Sequence, residues 1–317
     1  MAVACALALS AVPPQPAHAW PDRPVRIVVP ASAGSSLDVV ARTLSGKLFA
    51  RWGKPVVIEN KPGAGGLIGV NTAARAAPDG HVIALGYNGP LAFAPFLYRS
   101  MPYDAARDLL AVVMTSSQPN VLAIHAALPA RSVRELVAWA QRRGSETTYA
   151  SIGSGSSSHL AMELFKRTAR FDAVHVPFNG SPAAALSVAR GETWLLFAVA
   201  SGVMPQVQSG QIRLIAVTSA RRFPGLDDLP TMVESGFPGF VADAWNGLVV
   251  AAGTPADVVT KIGADVNGVL RSPDVRTRFR SLGMAAGGGS PEAFRELIDE
   301  ETRRWEPVIR QAGIRID

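Results

Sequence analysis

Cysteine is almost missing from this 317-residue chain: the one cysteine, Cys5, sits inside an apolar N-terminal stretch. Without that stretch the chain has no thiol, which excludes structural disulfides, thiolate catalysis and Cys-ligated zinc. No apolar run reaches the roughly 18 residues that a bilayer-spanning helix needs. Charged residues are sparse, 18% against 48% hydrophobic, so there is ample material for a core and no sign of extended disorder. Histidine numbers five, and there is no Walker loop, H-E-x-x-H or G-x-S-x-G. The run 63–69, GAGGLIG, misses the dinucleotide fingerprint because its third glycine, Gly69, falls one place late. No cofactor and no metal is therefore expected.

Residues 1–19 also lack every Asp, Glu, Lys and Arg. An apolar run at 2–12 leads to Pro13, Pro14 and Pro16 and then to Ala17-His18-Ala19. An apolar segment followed by a small-x-small site reads as an export signal that is cleaved, which places the mature chain outside the cytoplasm. A translation start upstream of Met1 would supply the missing basic residues. Most of the apolar run follows Cys5, which argues against a lipid anchor there.

The net charge of +6 comes from 26 Arg and 5 Lys against 25 acids. The basic residues are scattered and form no stripe with interleaved aromatics, so no nucleic-acid partner is expected.

What is present is an alternation of short β-branched runs with amphipathic helices. Residues 25–29 read as a strand, and Leu37, Val40, Ala41, Leu44 and Leu48 fall on one helical face that ends at Gly53. A strand at 56–58, a helix over 67–77 and a strand at 81–85 complete a βαβαβ unit, which favours parallel pairing. A second series begins at 121–124. Its helix opens with a Ser132/Glu135 capping box and ends at Gly144. Strands at 147–150, 173–176, 194–198 and 212–218 follow, with helices at 158–170 and from Ser181-Pro182. The remainder is a strand at 246–252 and helices started by Thr254-Pro255, Ser272-Pro273 and Ser290-Pro291. Periodicity leaves open whether these are consecutive domains or one interrupted by another.

Ligands of open α/β sheets bind where strands end and helices begin. Four such loops are rich in Gly, Ser and Asn. The first carries Ala31, Ser32, Ala33, Gly34, Ser35 and Ser36, and the second Tyr87 and Asn88. The third runs through Ser151, Gly153, Ser154, Gly155, Ser156, Ser157 and Ser158, and the fourth is Phe178, Asn179, Gly180 and Ser181. Free N–H groups at a helix start, small hydroxyls and the helix dipole all attract an anion. None of the loops contains Lys or Arg, so a carboxylate held by neutral donors suits them better than a phosphate. An alternative is a Ser–His hydrolase using Ser158 and His159, with Glu163 one turn on, but adjacent serines on one loop rarely give that geometry.

At these loops the sequence resembles the Bug family, the periplasmic solute receptors of tripartite tricarboxylate transporters. The likeness covers residues 20–317. It rests on WPDRPVRIVVP (20–30), VIENKPGAGG (57–66), AAPDG (76–80), SSHLA (157–161), HVPF (175–178), LIAVTS (214–219) and AGTP (252–255).

The resemblance implies an α/β fold of the type II periplasmic-binding class, with one lobe inserted in the other and a two-segment hinge. Lobe 1 would comprise 20–119 and 244–317, and lobe 2 would comprise 120–243, with crossings near Pro119 and at 243–247. It also implies a non-enzymatic monomer that captures a small organic acid or amino acid and delivers it to membrane transporter subunits. A sensor ectodomain is the alternative partner. First-lobe contacts would come from 31–38, where Asp38 would fix the loop. Second-lobe contacts would come from 151–159, including His159, and from 178–181. Trp245 would stand near the cleft. Ala198 and Val199 occupy a stretch where the family usually carries Asp or Asn, and Asn246 replaces a common aromatic, so the ligand is not transferable from relatives.

Overall fold

The computed structural model describes residues 20–316, so the expected export segment lies outside the described residues. Every residue of β1 (Val25–Val29) except Arg26 is fully buried, as expected of a strand covered on both faces. Ser35 caps α1 (Ser36–Trp52) by accepting the Asp38 N–H, and Gly53 ends the helix in the left-handed region. β2 (Val56–Asn60), α2 (Leu67–Ala74) and β3 (Val82–Tyr87) complete the first unit, and β1 pairs in parallel with both neighbours. A π-helical turn at Gly89–Phe93 and the short α3 (Ala94–Leu97) lead to β4 (Leu109–Gln118).

Beyond Pro119 the chain builds β5 (Asn120–His125), α4 (Val133–Arg143), β6 (Thr148–Ser151), α5 (Ser157–Ala169) and β7 (Val174–Pro177). Next come α6 (Ser181–Ala189), β8 (Leu195–Val199), α7 (Met204–Gln208) and β9 (Ile212–Val217). The return is β10 (Ala244–Ala251), α8 (Ala256–Leu270), α9 (Pro273–Ser281), β11 (Ala285–Gly288) and α10 (Pro291–Ala312).

These strands form two sheets, six-stranded in the order β11-β4-β10-β3-β1-β2 and five-stranded in the order β7-β6-β8-β5-β9. The second sheet is thus an insertion between two strands of the first, and the molecule has two α/β lobes. The sheets are mixed, whereas the sequence favours parallel pairing. β10 runs antiparallel to β3 and β4, and β5 runs antiparallel to β8 and β9. The reason is topological: a chain that leaves a sheet on β4 and returns beside it on β10 must reverse direction. β4, β11, α3 and α7 were not anticipated from the sequence.

The core has three parts. α1, α8 and α9 cover one face of the first sheet, burying Leu44, Leu48, Ile262 and Phe279. α6 and α7 cover one face of the second, around Ala184, Val188 and Leu196. The largest cluster is shared by both lobes and holds Phe93 and Leu97 together with Phe165, Phe197, Phe240 and Trp305. α10 spans the two lobes. Trp305 packs 5.4 Å from Phe93, while Arg167 of α5 donates to the Val308 carbonyl at 3.4 Å and to Gln311 Oε1 at 3.2 Å. Gly247 on β10 lets Phe294 sit against the strand, since a Cβ there would lie 2.3 Å from the ring.

Candidate functional site

Four loops at strand ends converge on one cleft, and hydrogen bonds fix each of them. After β1, the Gly34 N–H donates to Asp38 Oδ2 at 2.9 Å, and the same carboxylate accepts from Arg42 at 2.9 Å and from Asn60 at 3.0 Å. Burial raises the Asp38 pKa, but the hydrogen bonds from Arg42, Gly34 and Asn60 outweigh it and hold the carboxyl below its usual range. After β2, residues 62–66 turn into α2, and Tyr87 Oη donates to the Gly65 carbonyl at 2.6 Å. Gly65 has φ +59, and a Cβ on it would come within 3.1 Å of the Ser154 carbonyl, so backbone from the two lobes meets there.

After β6, Ser156 Oγ donates to the Gly153 carbonyl at 2.6 Å and accepts the His159 N–H at 3.3 Å. The Gly155 N–H donates to His159 Nδ1 at 3.1 Å. Ser151 Oγ accepts the Gly153 N–H at 3.2 Å and bonds His175 Nε2 at 2.7 Å. The rings of His159 and His175 stack at 3.9 Å between centroids. Burial lowers the pKa of His159 to about 3 and that of His175 to about 4, so both are neutral at physiological pH and brace the loop. After β7, the Phe178 and Gly180 N–H groups donate to the Ser151 and Ile152 carbonyls, and Gly180 leads into α6.

The resulting cleft has a volume of about 130 Å³. Of the residues singled out in the sequence, Ala31, Ser32, Ser35, Ser36, Tyr87 and Asn88 line it from the first lobe. Gly153, Ser157, Asn179, Gly180, Ser181 and Val199 line it from the second, and Trp245 from β10. Ala33 and Gly34 are exposed on the outside of their loop. Ser151, Ser156, Ser158 and His159 are buried behind the lining, and Ala198 belongs to the core beneath it. Phe178 packs on that same core, while Ser154 and Gly155 face Gly65 and Leu97 of the other lobe.

The 62–66 wall was not anticipated as lining, having been weighed as a nucleotide fingerprint and as part of the family likeness, and neither were Gln118 and Ala244, whereas Leu37 lies within the expected 31–38 contacts. A glycine-rich turn between a strand and a helix was the available signal. Asn246, also in the lining, stood out only as a departure from the family pattern.

Among the described residues, no Lys, Arg, Asp or Glu lines the cleft. Instead α1, α2, α5 and α6 begin at its wall, two from each lobe. The N–H groups of Ser36, Leu37, Ser157 and Ser181 have no acceptor among the described residues. Each helix start carries the equivalent of roughly half a positive charge, so the cleft is electropositive without a cation.

Ser158, His159 and Glu163 are each engaged elsewhere. Ser158 Oγ donates to the Phe197 carbonyl, His159 Nδ1 accepts from Gly155, and Glu163 accepts from Tyr149 and from Lys166 at 2.7 Å. No nucleophile–base–acid relay connects them.

A family model for the tripartite tricarboxylate transporter family receptor matches residues 40–314. Protein BugT of Bordetella pertussis is 32% identical over 304 residues, covering 96% of this chain and 93% of that protein. Among solved structures, R. palustris Rpa4515 with adipate superposes with a TM-score of 0.90 at 34% identity, covering 94% of this chain and 100% of that one. MatC from Rhodopseudomonas palustris with bound malate gives 0.85 at 30% identity, covering 92% and 100%. One lobe inserted in the other, a cleft of helix starts and a match over most of the length agree: the chain belongs to the tripartite tricarboxylate transporter receptor family.

Proposed function

We propose that this protein is a periplasmic receptor that captures a small organic carboxylate between its lobes and delivers it to a tripartite tricarboxylate-type membrane transporter. Lobe 1 is taken as 20–119 with 244–317 and lobe 2 as 120–243, hinged at Pro119 and at 243–247. The observation that carries the reading is the convergence of four helix N-termini, two from each lobe, on one cleft without a charged side chain. An anion held by donors from both sides stabilises the closed arrangement. Each charge-assisted hydrogen bond contributes about 1.5–3 kcal/mol, so a few of them offset the cost of fixing a small solute. The Ser32, Ser36, Ser157 and Ser181 hydroxyls and the free first-turn N–H groups are the proposed contacts. Asp38, Ser151, Ser156 and His159 hold the loops that present them. The adipate and malate seen in two relatives are small carboxylates, which supports the assignment.

Thermal unfolding against a panel of organic acids tests this. A matching acid at a hundredfold excess over its dissociation constant adds about 2.7 kcal/mol, and native mass spectrometry should find such an acid co-purifying. No stabilisation by any acid, with nothing bound, overturns it.

A further inference from the structure

Gln118 ends β4, is only 2% exposed and lines the cleft, yet no hydrogen-bond partner reaches its Oε1. A buried amide oxygen left without a donor forfeits its water hydrogen bonds with nothing in return, so a side chain of this kind at a binding surface calls for a ligand group. Asn246, also 2% exposed and lining, stands on the neighbouring strand. The register pairs Asn246 with Ser116 and Ala244 with Gln118, so the two carboxamides lie diagonally on one face of the sheet. Asn246 Oδ1 is occupied by Thr115 Oγ1 at 2.7 Å and Ser116 Oγ at 2.9 Å, which leaves its NH₂ as the free end.

This end of the cleft differs from the helix-start end in its electrostatics. The residue before β10 is Asp243, whose carboxylate accepts from Thr218 at 3.2 Å. Glu301 accepts from the indole N–H of Trp245, itself a lining residue, at 3.3 Å, with Arg304 3.3 Å from its other oxygen. Both acids lie behind the lining, so a second carboxylate placed here would meet the two carboxamides instead of a helix start.

We propose that Gln118 and Asn246 form a polar subsite for an uncharged group, so that the cleft prefers carboxylates whose far end is a carboxamide or hydroxyl over dicarboxylates. The proposal rests on the carboxylate-receptor reading above and names the substrate class of that same site. Gln118 is its specificity-determining residue: its amide both donates and accepts, as a carboxamide or hydroxyl requires, whereas a carboxylate offers no proton to Oε1.

Isothermal titration of the full mature chain with matched pairs tests it: succinate and succinamate, glutarate and glutaramate, adipate and adipamate. At the best-fitting length the half-amide is expected to bind about tenfold tighter than the diacid, equivalent to about 1.4 kcal/mol. Gln118→Met, which keeps length and bulk, should erase that ratio, and Gln118→Leu should do the same if it folds. A diacid that binds as tightly as its half-amide at every length overturns the subsite. So does a Gln118→Met protein that weakens both partners equally. Absence of binding by every diacid and half-amide instead overturns the carboxylate-receptor reading, and the subsite with it.

Discussion

The stacked His159–His175 pair can stay in place only while both rings are neutral. Burial keeps them so, with pKa values lowered to about 3 and about 4. In the unfolded chain each titrates near 6.5, so between roughly pH 6.5 and 4 the unfolded state binds more protons than the native one. Their contribution to stability is complete above about pH 6.5 and is lost as the pH falls below it. Asp243 works against this, because burial raises its pKa to about 6 and its protonation favours the native state below that value. Two histidines against one carboxyl leave a net loss on acidification of about 1.4 kcal/mol per pH unit at most. Denaturant titrations at pH 7 and pH 5 check the sign, and His175→Phe should flatten the dependence. At this scale the sequence was partly legible. His159 stood out by following three serines at a helix start. Its role as a brace was not legible, because the partner ring lies on β7, a separate element.

α5 shows what a helix contributes here beyond packing. Its cap, Ser156, both starts the helix and ties the preceding loop through Gly153. Ser156→Ala is expected to cost about 1 kcal/mol of stability and to weaken solute binding several-fold, as the loop that presents Ser157 loosens. Unfolding and titration of the same variant separate the two effects. Element positions followed in part from caps and periodicity: Ser132 and Ser290 cap as their local sequence suggests, whereas Ser181 is already the first residue of α6, α8 starts after Pro255 instead of Thr254, and Ser272 makes no side-chain cap bond. β4 escaped notice because its run ends in Thr115, Ser116, Ser117 and Gln118, polar residues that do not alternate with apolar ones. Thr115, Ser116 and Gln118 are buried all the same, satisfied by β10 or turned to the cleft, and a crossing strand of this kind has no sequence period.

Across the whole molecule the lobes share their largest apolar cluster, so they are expected to unfold together in one calorimetric transition. Trp305→Ala, which removes the α10 side chain packed on Phe93, should cost about 3–5 kcal/mol and lower the single transition without splitting it. The uncharged lining leads to a second expectation. Solute affinity should change little between about 50 and 200 mM salt, because helix starts inside a cleft are screened less than exposed cations. A steep salt dependence in titrations would contradict it.

α10 and the shared cluster fasten the lobes along the side of α3 and α5, while the starts of α1 and α6 both line the cleft. Side chains of both lobes packed into one cluster oppose their separation, so a solute enters a cleft whose walls are already joined at one side.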